Sequence, residues 1–298
     1  MRNRVDPFRP YAYFVEPEAS VSGRIVDVAT LFLVNRECPF RCLMCDLWKN
    51  TLEESVSPGA IPEQIRWALE RLPPANAIKL YNSGNFFDRK AIPPEDYEAI
   101  ANLLRGFERV VIENHPKLTR PECVRFRDLI APAQLEVALG LETVHPGVLP
   151  ALNKEMTLAD FERAVQYLHS EKIQTRAFVL LNPPYLAAAE GIRWAVASIA
   201  FAFDRGVSAC AVIATRTGNG IMDELESRGL YTAPTGEALE RVMQQGLADG
   251  RGRVFVDLWD AERFFECDRC RDARMKRLGE MNLSQQWQAP VRCEECGR

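Results

Sequence analysis

Short, nearly continuous apolar runs alternate along this chain with stretches of helical periodicity. Such runs predict strands that are buried on both faces of a sheet. Between them, apolar residues recur every three or four positions, as they do from Ile65 to Leu72, which is typical of a helix with one buried side. The predicted strands are 29–34, 77–82, 109–114, 135–141, 175–181, 209–215 and 253–258. The alternation predicts an α/β fold with a parallel sheet and outer helices.

Local signals locate the starts of several helices. Pro62 and Pro94 suit the first turn of a helix, and Thr157 with Asp160 resembles a capping box. Two further helical patterns cover 191–203 and 237–247. Repeated strand–helix units form either a doubly wound sheet or a barrel, and periodicity does not choose between them. In both folds, chemistry collects at the carboxyl ends of the strands.

Composition divides the chain of 298 residues into three segments. Residues 1–28 are polar and rich in proline, so we expect an N-terminal extension. Residues 29–260 carry the strand–helix alternation and form the predicted α/β domain. Residues 261–298 depart from that pattern and hold four cysteines, which predicts a small C-terminal metal-binding appendage.

The overall charge and hydropathy give no sign of a membrane or nucleic-acid partner, although a local basic patch such as 263–277 would suffice for RNA. The formal net charge is −4, and the arginine-rich stretch 263–277 also carries acidic residues, as a solvated helix face does. The longest apolar run, 194–203, is too short to span a bilayer. The first twenty residues do not resemble a secretory signal. We therefore expect a cytoplasmic protein without membrane contacts.

Seven of the nine cysteines fall into two groups. Cys38, Cys42 and Cys45 follow the first predicted strand, and four more lie in the tail. Without an export signal, grouped cysteines indicate metal or redox chemistry more often than disulfides. The isolated Cys123 and Cys210 are expected to be buried as small apolar side chains.

The first group offers three thiolates within one short loop. Thiolates are soft ligands that favour iron–sulfur clusters and zinc. Three ligands on a four-iron cluster leave one iron without a protein ligand, where a substrate can bind. The alternative is a zinc site, with His115 as a distant fourth ligand.

The second group consists of Cys267-x₂-Cys270 and Cys293-x₂-Cys296, separated by 22 residues. Two such pairs make a tetrahedral four-thiolate site, which is typical of structural zinc. An auxiliary [4Fe–4S] cluster with full cysteine ligation is the alternative. Four protein ligands leave no open position, so either metal would have a structural or electron-transfer role.

The motif Cys38-x₃-Cys42-x₂-Cys45 after the first strand resembles the signature of the radical S-adenosylmethionine (SAM) superfamily. This resemblance implies a partial (β/α)₆ TIM-like barrel and a [4Fe–4S] cluster whose open iron binds SAM. In such enzymes the reduced cluster cleaves SAM, and the 5′-deoxyadenosyl radical abstracts hydrogen from a substrate. A reductant such as flavodoxin or ferredoxin is then an expected partner.

The resemblance also implies cofactor contacts at the strand ends. Asn82-Ser83-Gly84-Asn85 occupies the place of the glycine-rich motif that holds the methionine amino group. Gly140 and Glu142 resemble the segment that contacts the ribose or carboxylate of SAM, and Met44 stands where an aromatic residue usually faces the adenine. The other predicted cofactor contacts are Asn182 and Arg216, after the fifth and sixth strands.

A closer resemblance is to the radical SAM subunit of archaeosine synthase, within the methylthiotransferase and elongator-like branch. It covers about residues 25–220 and 267–298, including the tail in which the cysteine pairs flank Asn282-Leu-Ser-Gln285. That family acts on a lysine-bearing deazaguanine in tRNA, so the resemblance implies tRNA or a base-like substrate. The residues alone leave two other classes open, a zinc-containing nucleic-acid-binding protein and a two-cluster electron-transfer protein.

Overall fold

The computed structural model describes residues 2–297, and an eight-stranded sheet forms its centre. The strands are β1 (Ala12–Ala19), β2 (Ile25–Phe32), β3 (Ala77–Tyr81), β4 (Arg109–Asn114), β5 (Gln134–Glu142), β6 (Gln174–Leu181), β7 (Ala209–Ala214) and β8 (Arg253–Val256). They follow one another in chain order. Strands β2 to β8 are parallel, and β1 is antiparallel to β2.

Helices connect the strands. They are α1 (Ala60–Leu69), α2 (Tyr97–Leu103), α3 (Pro121–Ile130), α4 (Val148–Ala151), α5 (Leu158–Ser170), α6 (Gly191–Asp204), α7 (Ile221–Ser227), α8 (Gly236–Asp249) and α9 (Asp268–Ser284). The predicted capping box of α5 is confirmed, since Thr157 Oγ1 accepts from Asp160 N and the Asp160 carboxylate accepts from Thr157 N. Within residues 2–297, the helices lack the length and apolarity needed to cross a bilayer.

The sheet curls into a partial barrel. β1 and β8 lie at opposite ends of the strand order, and in a flat sheet they would be more than about 30 Å apart. Yet the Arg253 guanidinium on β8 donates to Ala19 O on β1 (3.1 Å). The rings of Phe14 on β1 and Trp259, just after β8, are 6.0 Å apart. The predicted α/β partial barrel is confirmed.

Alternate residues of each strand face opposite sides. Leu31 and Ile78 point outward into the main hydrophobic core, where Ile65 of α1 and Phe161 of α5 also lie. The intervening positions face the lumen of the barrel and include polar residues such as Lys79. Both sides of the sheet are therefore covered, which explains the nearly continuous apolar strands of the sequence.

The sequence pattern predicts β2 to β8 but not β1, which lies inside the expected extension 1–28. Its lumen-facing side chains include Glu16 and Glu18, and Pro17 interrupts the pattern between them. These acidic residues pair with basic residues of distant strands. A strand whose inward positions are charged shows no apolar alternation, so the local sequence did not reveal it.

Six charged side chains, each at most 8% exposed, fill the lumen near the amino ends of the parallel strands. This lumen-floor network comprises Glu18, Lys79, Arg109, Glu136, Arg176 and Arg253. Glu136 accepts from Arg109 (3.1 Å) and Arg176 (2.6 Å). Glu18 pairs with Lys79 (2.7 Å), Arg109 (2.9 Å) and Arg176 (2.7 Å). These buried side chains can stay charged because each has at least two partners of opposite charge.

The charge balance of this network depends on pH. Burial alone would raise the pKa of Glu136, but Arg176, Arg253 and Arg109 outweigh it and lower the pKa to about 2. An unfolded glutamate has a pKa of about 4.3. The stabilisation from Glu136 is thus complete above that value and is lost as the pH falls towards 2.

Helix α9 covers the free edge of β8. The Gln285 side-chain amide accepts from Val254 N (2.8 Å) and donates to Val254 O (2.9 Å). Asn282 makes the same pair of bonds with Val256, both at 2.9 Å. We call these four bonds the amide ladder. It satisfies backbone groups that an edge strand would otherwise expose.

We expect Glu136→Gln to lower the free energy of unfolding at pH 7 by about 3–5 kcal/mol, because three buried guanidinium groups lose a shared negative partner. Urea denaturation followed by circular dichroism measures the change. The control is Glu63→Gln, which removes a more exposed ion pair with Arg66 and should cost less than about 1 kcal/mol. Equal losses in the two variants would contradict the assigned weight of the network.

Candidate functional site

The cysteine loop, residues 37–46, follows β2 and has neither helix nor strand. Contacts with neighbouring loops therefore fix its course. The Asn153 amide donates to Arg41 O (2.8 Å), and the Asn219 amide donates to Leu43 O (2.9 Å). Asn153 follows α4 and Asn219 follows β7, so two separate loops hold the cysteine loop at the carboxyl end of the barrel.

The three thiols of this loop are half-buried. Burial raises the pKa of Cys42 to about 11 and that of Cys45 to about 12, and it also raises the pKa of Cys38. The Asn85 amide donates to Cys38 Sγ (3.1 Å). Thiolates at such a site need strong positive charge beside them, which the irons of a cluster supply. The donor set therefore fits an iron–sulfur cluster.

The turn Asn82–Asn85 packs directly on the cysteine loop. A Cβ at Gly84 would lie 3.4 Å from the Cβ of Cys38, so the glycine backbone is in close contact with that residue. Ser83 has a φ of 53°, which reverses the chain at this point. Glu113 Oε1 accepts from Asn82 N (2.6 Å) and Gly84 N (3.2 Å). The Glu113 carboxylate therefore holds the Asn82–Asn85 turn in place.

Glu113 is a site residue that the sequence analysis missed. Burial raises its pKa to about 7, although the N–H groups of Asn82 and Gly84 act in the opposite direction. The available signal was one carboxylate directly after the apolar run 110–112 of β4. That signal is weak alone, because a glutamate near a strand end is common, and its partners lie about thirty residues away.

A buried ion pair lies beside the cysteine loop. Lys154 Nζ is 2.6 Å from Glu142 Oε1, and both side chains are at most 9% exposed. Burial would lower the pKa of Lys154, but Glu142 and Cys42 raise it above its ordinary value. A Cβ at Gly140 would collide with both charged groups, so glycine is needed there to make room for them. Two of the expected cofactor segments, Asn82–Asn85 and Gly140–Glu142, thus lie beside the cysteine loop.

Comparison with known proteins identifies the family. The model of the Radical SAM superfamily matches residues 32–185, which is more than half of the chain. The chain belongs to the radical SAM superfamily. Membership implies a [4Fe–4S] cluster and SAM, and it makes the protein an enzyme.

Two relatives among curated proteins are archaeosine synthase beta subunits. The one from Thermococcus kodakarensis is 30% identical over 166 residues, which cover 53% of this chain and 51% of that protein. The one from Methanosarcina acetivorans is 23% identical over 250 residues, covering 78% and 72%. The chain therefore spans about half the length of the first relative.

Solved structures of superfamily members share the fold. The archaeal Elp3 of Methanocaldococcus infernus superposes with a TM-score of 0.55 at 14% identity, over 74% of this chain and 59% of that one. A radical SAM methyltransferase from Sphaerobacter thermophilus gives 0.56 at 15% identity, over 84% and 77%. At these identities the match concerns the partial barrel alone.

His115 does not serve as the distant fourth ligand of a zinc site. Its Nε2 lies 3.0 Å from Lys154 O, and its Nδ1 accepts from Lys117 N. The imidazole stacks on Phe40 of the cysteine loop with ring centroids 3.7 Å apart. Both ring nitrogens are thus engaged, and the residue supports the loop by packing.

Met44, Arg216 and Asn182 are the remaining expected cofactor contacts. Met44 packs against an apolar cluster that includes Leu152. Arg216 lies 4.0 Å from the Asp46 carboxylate. Asn182 has a φ of 53°, and its side-chain oxygen finds no hydrogen-bond partner among residues 2–297. That oxygen is buried against Gly191 at the start of α6.

The second cysteine group is assembled around the start of α9. The Sγ atoms of its four members, Cys267, Cys270, Cys293 and Cys296, all lie within 4.8 Å of one another. The Cys267–Cys293 and Cys270–Cys296 pairs are each 3.8 Å apart. These residues can hold a metal, and a metal there would join the C-terminal segment to the helix that carries the amide ladder.

We expect Glu113→Ala to weaken SAM binding by about 1–3 kcal/mol, because the Asn82–Asn85 turn loses its shared acceptor. Calorimetric titration of the anaerobically reconstituted protein with SAM measures the change. Glu113→Gln keeps one acceptor oxygen and should retain most of the affinity. The control is Glu122→Ala, which removes an ion pair between Glu122 of α3 and Arg89, away from the cysteine loop. Unchanged affinity in a folded Glu113→Ala protein would remove Glu113 from the site.

Proposed function

We propose that this radical SAM enzyme holds its [4Fe–4S] cluster on Cys38, Cys42 and Cys45 and acts on a modified base of tRNA. The observation that supports the cluster site is the half-buried thiol trio, fixed by two loops and contacted by the Asn82–Asn85 turn. The substrate rests on the 30% identity to an archaeosine synthase beta subunit. Flavodoxin or ferredoxin is the proposed reductant.

Each part of the site has a distinct proposed task. The Asn82–Asn85 turn, held by Glu113, binds the amino-acid end of SAM. Glu142 and Lys154 provide one negative and one positive group for its polar parts, and a change in either leaves the other buried without its partner. Met44 and Phe40 pack the cysteine loop against its neighbours and exclude water. The cluster and SAM, when bound, supply the radical chemistry of hydrogen abstraction.

The C-terminal site is proposed to hold zinc rather than an auxiliary cluster. Four sulfurs around one ion at ~2.3 Å form a tetrahedron with edges of ~3.8 Å. The two closest Sγ pairs are separated by 3.8 Å. A four-iron cube would hold its thiolates on four different irons and further apart. This spacing favours an enzyme with one cluster over a two-cluster electron-transfer protein.

We expect Cys42→Ala to lose its iron and sulfide and to produce no 5′-deoxyadenosine from SAM under reducing conditions, while the fold persists. Iron analysis and chromatography of the products are the measurements. The control is Cys123→Ala, which removes a buried thiol of α3 and should retain iron. Full iron retention in a Cys38, Cys42 and Cys45 triple alanine variant would overturn the assignment.

The substrate is tested separately. The reconstituted enzyme should form 5′-deoxyadenosine faster with tRNA that carries a lysine-bearing deazaguanine than with the same tRNA lacking it. Mass spectrometry of the digested tRNA should show a changed base. Stimulation without any change of the base, or equal rates with both tRNAs, would contradict a tRNA-base substrate while leaving the radical SAM activity intact.

For the tail, we expect about one zinc per chain after aerobic purification, and its loss in Cys293→Ser. Because α9 is then held less firmly, the Val254 and Val256 amides of the ladder should exchange with deuterium faster. Cys123→Ala is again the control and should keep its zinc. Zinc-free protein that takes up about eight irons per chain under anaerobic reconstitution would establish a second cluster instead.

A further inference from the structure

Aromatic rings line the lumen beside β1 and the end of β8. Phe14, Phe32 and Trp259 form a triangle with centroid distances of 6.0 to 6.2 Å. Tyr81 extends it across the lumen, 5.8 Å from Phe32 and 6.2 Å from Phe178. We call this set of five residues the aromatic chamber. Five strands or strand ends supply its walls, so the fold itself positions the rings.

The aromatic chamber adjoins the cofactor region. The Tyr11 ring lies 5.5 Å from Phe32, and its hydroxyl lies 3.0 Å from Ser83 Oγ. Ser83 belongs to the turn whose Asn85 contacts Cys38. An occupant of the chamber would therefore lie next to the place where hydrogen abstraction is expected.

Towards the amino ends of the parallel strands, charged side chains close the lumen next to the rings. Lys79, one step before Tyr81 on the same face, pairs with Glu16 (3.0 Å) and Glu18 (2.7 Å). The Arg176 guanidinium lies 5.1 Å from the Phe255 ring. These contacts fill the space under the chamber. A ligand that enters from the carboxyl ends of the strands meets a closed floor, which favours a flat ring over a long chain.

Trp259 stands out within the chamber because 57% of its surface is exposed. Its indole stacks on Phe14 at an interplanar angle of 23°. One part of the Trp259 side chain is therefore packed, and the rest faces solvent. An exposed indole joined to an aromatic cluster is a ready stacking surface. Trp287, in the tail, is similarly exposed at 52%, but no ring contact is found for it among the described residues.

The Asp257 carboxylate lies beside this stacking surface. Asp257 accepts from Trp259 N (3.0 Å) and, by strand alternation after Arg253 and Phe255, lies on the lumen side. Burial raises the pKa of Asp257, while the Trp259 N–H and the Arg216 guanidinium act in the opposite direction. An ionised carboxylate has two acceptor oxygens and matches a ligand edge that presents two adjacent N–H donors.

We infer that the aromatic chamber binds the planar ring of the substrate, stacked on the solvent-facing part of Trp259, with Asp257 accepting hydrogen bonds from a guanine-type N–H edge. This inference rests on the proposed action on a tRNA base and names the residues that recognise it. Stacking tolerates any base because every base has a π face, so Asp257 provides the selectivity.

The experiment uses guanosine and inosine as probes and calorimetry of the reconstituted enzyme as the readout. Inosine lacks the exocyclic amine, so the wild type should bind guanosine more tightly. Trp259→Ala should weaken guanosine binding by about tenfold or more, and Trp259→Phe should retain most of it. Trp287→Ala is the matched control and should bind as the wild type does. Asp257→Asn should abolish the preference for guanosine over inosine.

Two further readouts separate this inference from the proposed function. Iron content and the circular dichroism spectrum should stay normal in every variant, which shows that the fold and the cluster site are intact. Guanosine binding with the expected pattern but without turnover of modified tRNA would support the chamber and overturn the tRNA substrate. Turnover of tRNA by Trp259→Ala with the wild-type KM, or guanosine binding that Trp259→Ala leaves unchanged, would overturn the chamber.

Discussion

Two buried glutamates hold the barrel in its curled shape. Glu18 is on the first strand and Glu136 is on the fifth, yet Arg109 and Arg176 each bind both of them. Hydrogen-bond partners on such distant strands can meet only if the sheet bends around its lumen. The planar guanidinium group suits this task, because its several donors can reach two carboxylates at once. Everything at the opposite end of the strands depends on this curvature.

That opposite end is arranged in layers above the charged floor. The aromatic rings occupy the middle of the lumen, and the cysteine loop, the Asn82–Asn85 turn and the Glu142–Lys154 pair lie near the carboxyl ends of the strands. The layers differ in chemistry because they differ in task. The floor fixes the shape, the rings offer stacking surface, and the uppermost loops offer ligands and charged partners for the cofactor.

The sequence revealed the parts of the molecule that are specified locally. Strands β2 to β8 have their own apolar pattern, the capping box of α5 lies within four residues, and each cysteine group has a recognisable spacing. The sequence did not predict strand β1, because the partners of Glu18 lie on other strands. The sequence did not predict the roles of Glu113 and Lys154 either, because those roles arise from contacts made only in the fold. Asp257 and Trp259 looked like an ordinary strand end.

The amide ladder has a consequence for how chains of this protein behave towards one another. A primary amide carries the same donor and acceptor as a peptide group, so Asn282 and Gln285 imitate a neighbouring strand on the edge of β8. If α9 departs, that edge becomes a template for strands of other molecules. A metal held by the four cysteines at the start of α9 would then protect this edge from self-association.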